Sequence, residues 1–276
     1  MKILITGANG QLGTEITKLL PDAIAATSKD LDITKEREVR SIVKDNGIDT
    51  IINCAAYTAV DAAEYDVFKA TSINVDGTKF LAQTGCKLVH ISTDYVFDGA
   101  SNTPYKTTDK PYPLSVYGFT KMLGEKAVLR YSPVSVIIRT SWLFSQNGKN
   151  FFKTMQRLGA EKTEINVVND QIGSPTYAPD LASAIVEILP QINDFNSGIY
   201  HFTNMGQCSW YEFACEIMKK SGLKCNVNPI PTSEYPTDAK RPMYSVLDKS
   251  KIQETFGLKI PTWKDALVRC IKSNSK

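Results

Sequence analysis

Tyr117 and Lys121 stand four residues apart in Tyr117-Gly118-Phe119-Thr120-Lys121. On a helix that spacing puts both side chains on one face, where they can address a single ligand. The pairing has a chemical use. A phenol with an ordinary pKa of about 10 exchanges protons poorly at neutral pH. A neighbouring ammonium favours the phenolate and draws that pKa toward the working range. Upstream, Ser92-Thr93-Asp94-Tyr95-Val96-Phe97-Asp98-Gly99 closes an apolar run over residues 87–93 that reads as a buried strand. Its polar side chains therefore emerge at the strand's carboxyl end, where Thr93 offers a hydroxyl to a reacting oxygen. Each feature also has an ordinary reading: a surface tyrosine beside a solvated lysine, and a threonine in a turn. Their joint occurrence in this order favours chemistry.

The second chemical signal lies at the N-terminus. Ile3-Leu4-Ile5-Thr6 leads into Gly7-Ala8-Asn9-Gly10-Gln11-Leu12-Gly13, with glycines spaced G-x-x-G-x-x-G, and then into a helical pattern. A buried strand, a glycine turn and a helix N-terminus present bare N–H groups that can hold a pyrophosphate. Gly7 permits the tight turn, Gly10 lets phosphates approach the backbone, and Gly13 lets the helix pack on the strand. The position between strand and helix makes this signal far stronger than a lone glycine triplet.

These groups need a scaffold, and the chain supplies alternating strands and helices. Residues 23–27, 49–56, 87–93 and 134–139 read as strands, with Asn74 in an intervening helical segment and Thr34 as an N-cap. The succession predicts an α/β fold with a doubly wound parallel sheet of Rossmann type. Beyond about residue 145 the rhythm loosens into helices over 150–159, 179–189, 210–221 and 250–256, with polar loops between them. We read residues 1–145 as a dinucleotide-binding domain and 146–276 as a smaller, mostly helical substrate lobe. Their boundary is interleaved, because residues 198–202 read as a strand returning to the sheet. In such folds an acid ending the second strand selects NADH. Here Ser28-Lys29 occupy that place, which accommodates a 2′-phosphate and favours NADPH, although Lys29 equally suits a solvated loop.

Composition narrows the class. The 276 residues are 42% hydrophobic and 22% charged, with a net charge of +3. That is ordinary for a globular protein, and no basic block suggests nucleic acid. No run reaches membrane-spanning length and the N-terminus lacks signal-peptide character, so a cytoplasmic protein is expected. The six cysteines are scattered and expected to be reduced, and His90 and His201 read as structural.

Taken together, G-x-x-G-x-x-G, N-C-A-A-Y-T-A-V-D, S-T-D-Y-V-F-D-G, Y-G-x-T-K and R-T-S-W resemble the dTDP-4-dehydrorhamnose reductase family of extended short-chain dehydrogenases/reductases. So do Gly148-Lys149-Asn150-Phe151, the run from Val168 to Thr176, and Lys240-Arg241-Pro242, so the likeness spans nearly the whole chain. The resemblance implies NAD(P)H-dependent reduction of the C4 ketone of dTDP-4-dehydro-β-L-rhamnose. It makes Tyr117 the proton donor, Lys121 the residue that lowers its pKa and holds the nicotinamide ribose, and Thr93 the third member. It puts Gly10, Gln11 and Leu12 on the pyrophosphate, Asp32 and Ile33 near the adenine, and Ala55, Ala56 and Tyr57 along the cofactor. Asp94, Tyr95 and Trp142 would face the sugar, and Arg241 the substrate diphosphate.

Departures from the family pattern are Phe144 in place of a usual tyrosine and Ala62 in place of a common lysine. Some family members bind magnesium at a dimer interface through glutamates, one matching Glu15. The partner acids are not identified in this sequence, so no metal ligand is assigned, and both magnesium and a homodimer stay open. Two rivals remain: an epimerase or dehydratase of the same superfamily, which recycles its nicotinamide, and a non-catalytic reductase-like regulatory subunit.

Overall fold

Alternate residues of the strands feed two separate cores. Ile3 and Ile5, Ile52, Val89, and Val136 with Ile138 join one cluster, while Leu4, Ile51, Leu88 and Ile137 join the other. A strand with both faces buried needs apolar side chains at every position. The computed structural model describes residues 1–273 and arranges six such strands in one sheet. They are β1 (Ile3–Thr6), β2 (Ile24–Ala26), β3 (Thr50–Asn53), β4 (Lys87–Thr93), β5 (Ser135–Thr140) and β6 (Gly198–His201). Their spatial order is β6-β5-β4-β3-β1-β2, and every pairing is parallel.

The sheet is doubly wound, as the strand–helix rhythm predicts. The helices Gln11–Leu19 and Ala178–Ile188 cover one face through Leu12, Ile16, Leu181 and Ile185. Glu36–Asn46, Thr78–Ala82 and Val116–Tyr131 cover the other through Val39, Leu81 and Val128. From β1 the chain moves outward to β2, then crosses back to β3 on β1's other side. The carboxyl ends of β1 and β3 thus flank the switch point, where open α/β sheets bind ligands.

A third core is built from later residues, among them Phe152, Met155, Phe213, Ile217, Trp263 and Leu267. The strand expected over 198–202 runs from Gly198 to His201 and pairs with β5. One local reading changes. Thr34 is not a helix cap: its N–H and hydroxyl both donate to the Asp32 carboxylate, and the helix starts at Glu36 after Lys35. This Asx-type turn competes with capping and delays the helix. Among the described residues no helix is long and apolar enough to cross a membrane.

Candidate active site

A cleft of about 800 Å³ opens over the switch point. At its floor the β1 turn meets the end of β3 so closely that a Cβ on Gly7 would lie 2.7 Å from the Ala55 nitrogen. Gly7 has φ +65°, which only glycine adopts without strain. A Cβ on Gly13 would sit 2.3 Å from the Gly7 carbonyl oxygen, so the first turn of the helix must carry glycine there to pack on the loop. No side chain caps this helix and no acid stands in its first turn. Its leading N–H groups and positive dipole end therefore face the cleft free to take an anion.

Gly7, Gly10, Gln11, Leu12 and Gly13 line one end of the cleft, and Asp32, Ile33, Ala55 and Ala56 continue the wall. Ser28 joins them. Asp30, the nearest acid after β2, turns back onto Thr27, whose backbone N–H and hydroxyl donate to it at 2.9 and 2.6 Å. Asp30 is therefore turned away from a ribose 2′-hydroxyl, and Asp32, which lines the cleft, is engaged by Thr34 and Lys35.

Thr93, Asp94, Tyr95, Tyr117, Lys121 and Trp142 line the other end. The helix Val116–Tyr131 brings the pair there. Ser115 caps it by accepting from the Gly118 N–H, and Gly118 lies against the Tyr95 carbonyl, where a Cβ would be 2.1 Å away. The helix is buried on most sides, and Tyr117, Lys121 and Glu125 share one stripe. Glu125 anchors that stripe to the sheet. It takes two bonds from Arg139, at 2.8 and 2.7 Å, and one from the Ser92 hydroxyl.

The electrostatics differ from the simple expectation of an ammonium pulling a phenol down. Burial pushes the Tyr117 phenol up to about 12, partly countered by the Thr93 hydroxyl. Burial also draws Lys121 down to about 8, against the upward pull of Glu125. Lys121 donates to the Ile91 carbonyl at 2.6 Å and meets His90 Nε2 at 3.4 Å. No hydrogen bond joins it to Tyr117 among the described residues. Burial thus favours the protonated phenol of Tyr117 and lowers the pKa of the lysine beside it. Asp94 is driven up to about 6 by burial, against hydrogen bonds from Ser245 and Thr93, and its Oδ2 has no partner among the described residues.

Two expected residues lie off the cleft lining. Tyr57 is held by Asn74, which accepts from its N–H at 2.9 Å and donates to its carbonyl at 3.2 Å. Tyr57 packs against the buried cluster of Ala63, Ala70 and Tyr117. Arg241 forks onto Asp61 at 3.0 and 2.7 Å. Glu15 is likewise engaged, by Lys18 and by Asn147 at 2.9 and 2.6 Å.

The structure joins Trp142 to Trp210, a residue to which the sequence assigned no place in the site. Trp142, with φ 48°, stacks on Trp210 at 3.5 Å between centroids, and Phe151 leans on Trp210 at 4.6 Å. All three line the cleft, as does Lys149. Trp210 opens a helix after a capping box made by Ser209 and Glu212. That Ser-x-x-Glu pattern is legible as a helix start, but nothing in it points the ring at Trp142.

The whole chain is similar to proteins of established name. A 45% identical protein from Aggregatibacter actinomycetemcomitans, matched over 96% of this chain and 97% of its own length, is a dTDP-4-dehydrorhamnose reductase. A dTDP-4-dehydrorhamnose reductase from Clostridium acetobutylicum has the same fold, with TM-score 0.96, 43% identity and full coverage of both chains. The Bacillus anthracis dTDP-4-dehydrorhamnose reductase, solved in complex with NADP, superposes with TM-score 0.94 at 40% identity, over 99% of this chain and all of that one. The family model described as the RmlD substrate binding domain matches residues 1–275. This chain belongs to that family.

Proposed function

We propose that this chain is an NADPH-dependent reductase of a dTDP-linked 4-keto-6-deoxysugar, converting dTDP-4-dehydro-β-L-rhamnose to dTDP-L-rhamnose. The single observation that carries the reading is the convergence of Thr93, Tyr117 and Lys121 on the cleft that opens over the glycine turn. The uncapped helix start at Gly10 fits a pyrophosphate, and the turned-back Asp30 with Ser28 fits a 2′-phosphate. The resemblance of this chain to a reductase solved with NADP supports the same choice.

When bound, the nicotinamide supplies the hydride. The chain's own residues handle the proton and the geometry. Tyr117, held protonated by burial, donates its hydroxyl proton to the oxygen of the reduced carbon. Thr93 orients that oxygen, and Lys121 holds the nicotinamide ribose and stabilises the phenolate left behind. Asp94 and Tyr95 face the sugar, and the Trp142–Trp210 wall closes the site with a flat apolar surface suited to a ring. In this division residues 1–145 form the cofactor-binding domain, which also lends Asp94, Tyr95 and Trp142 to the sugar, and residues 146–276 form the substrate lobe, with a boundary interleaved where β6 joins the sheet. The six free cysteines suit the reducing cytoplasm.

The test is a spectrophotometric assay with dTDP-4-keto-6-deoxysugars, run with NADPH and NADH in parallel. Stoichiometric consumption of NADPH is expected. Sugar turnover without net consumption would instead identify an epimerase or dehydratase.

A further inference from the structure

Behind Lys121 a line of buried polar groups runs through the sheet to β1. Lys121 Nζ meets His90 Nε2 at 3.4 Å, and His90 Nδ1 meets Asn53 Nδ2 at 3.0 Å. Asn53 Oδ1 accepts from the Thr6 hydroxyl at 2.7 Å and from the Ala55 backbone N–H at 3.1 Å. His90 and Asn53 have no solvent exposure.

These contacts leave one proton arrangement. The Ala55 N–H can only donate, so the Asn53 atom facing it is the carbonyl oxygen. The amide nitrogen therefore faces His90 and donates to Nδ1, which must be bare. Burial holds His90 well below the usual imidazole range, so the ring is neutral and its one proton sits on Nε2. That N–H points at Lys121. A neutral amine can accept it, but an ammonium cannot.

We propose that His90 and Asn53 are positioning residues for Lys121: Asn53 fixes the imidazole as the Nε2–H tautomer, and that N–H disfavours the ammonium. Burial draws the Lys121 pKa down, and the His90 N–H adds to that effect on the lysine. Its other neighbours leave this role to His90. On its own helix Tyr117 is neutral and Glu125 is claimed by Arg139 and Ser92. From the end of β3 the Cys54 thiol is held protonated, pushed up to about 12 by burial. From β4 the Ile91 carbonyl accepts equally from amine and ammonium, and Asp94 bears on Tyr117.

The proposal rests on the reductase reading for its use in turnover, but its core is tested without turnover. The protein holds two histidines, so 15N-histidine long-range NMR assigns both, with His90→Phe identifying the His90 signals. Wild-type His90 is expected as Nε2–H from about pH 6 to 9. Asn53→Asp keeps both acceptor bonds while its second oxygen demands Nδ1–H, so the tautomer should flip and bare Nε2 accept from the ammonium. The Lys121 titration, followed on 13C-labelled lysine and assigned with Lys121→Arg, should then move up by about one unit or more. The alkaline limb of kcat/KM should follow it, while cofactor Kd stays within twofold. His90→Phe, which removes the opposing N–H, should move the titration the same way. A wild-type Nδ1–H or imidazolium overturns the proposal, as does a Lys121 titration unmoved in both variants. Absence of any reduction by the wild type would sink the reductase reading and leave the tautomer result standing.

Discussion

Gly7 and Ala55 touch backbone to backbone at the switch point, with no room for a Cβ between them. Gly10, three residues on, has extended backbone and only the Gly7 carbonyl nearby, 3.2 Å from where its Cβ would be. The two glycines should therefore fail differently. Gly7→Ala should destabilise the protein, with at least about 1–2 kcal/mol from the left-handed backbone alone. Gly10→Ala should leave Tm nearly unchanged and weaken NADPH binding tenfold or more, because the methyl intrudes on the phosphate path. Calorimetry and cofactor titration of both variants check this.

Asp94 offers a stability test with a definite sign. Its folded pKa of about 6 lies above the ordinary carboxylate value, so burying the charged form costs stability above pH 6. That cost is relieved as pH falls from 6 toward 3.8, where the folded state holds the extra proton. Asp94→Asn should raise the stability of the ligand-free protein at pH 7.5 by up to about 3 kcal/mol, at about 1.36 kcal/mol per unit. The gain should vanish near pH 4. The same variant should lose activity through KM for the sugar, since the orphaned Oδ2 is no longer available as an acceptor.

Lys121 runs on the same logic with the opposite charge. Its pKa is lowered to about 8, so the folded state carries the full cost of the buried ammonium below pH 8. Between pH 8 and 10.5 the unfolded chain binds more protons, and stability rises with pH. Lys121→Met should abolish that rise in pH-resolved denaturant unfolding, while slowing turnover by two orders of magnitude or more.

The aromatic wall should govern substrate affinity. Trp142 holds φ 48° against a strain of about 1–3 kcal/mol, and its stack on Trp210 keeps it there. Trp210→Leu should raise KM for the dTDP-sugar about tenfold or more and leave cofactor Kd within twofold, as measured by initial rates and NADPH fluorescence titration.

Much of this site is legible in the residues, and the reasons differ from place to place. The glycine turn, Thr93 and the Tyr117–Lys121 pair are local signals: spacing alone puts them at strand ends or on one helix face. The strand over Lys87–Thr93 and the helices Trp210–Ser221 and Ser250–Phe256 are readable to the residue from apolar runs and caps. The Trp142–Trp210 stack and the His90–Asn53 contact join residues far apart in sequence, and no periodicity encodes such pairs. Sequence spacing puts an ammonium near Tyr117 but does not show the depth of burial, which raises the phenol and depends on the packed sheet.

The central claim is that Tyr117 delivers the proton. Tyr117→Phe keeps the ring packed against Tyr95, whose centroid lies 5.5 Å away, and removes only the hydroxyl. The decisive measurement is NADPH oxidation with dTDP-4-dehydro-β-L-rhamnose for wild type and Tyr117→Phe, alongside NADPH binding by both. Turnover by the variant should fall by about two orders of magnitude or more, the range of general acid catalysis, with cofactor binding intact. Undiminished ketone reduction by the phenylalanine variant would contradict the claim.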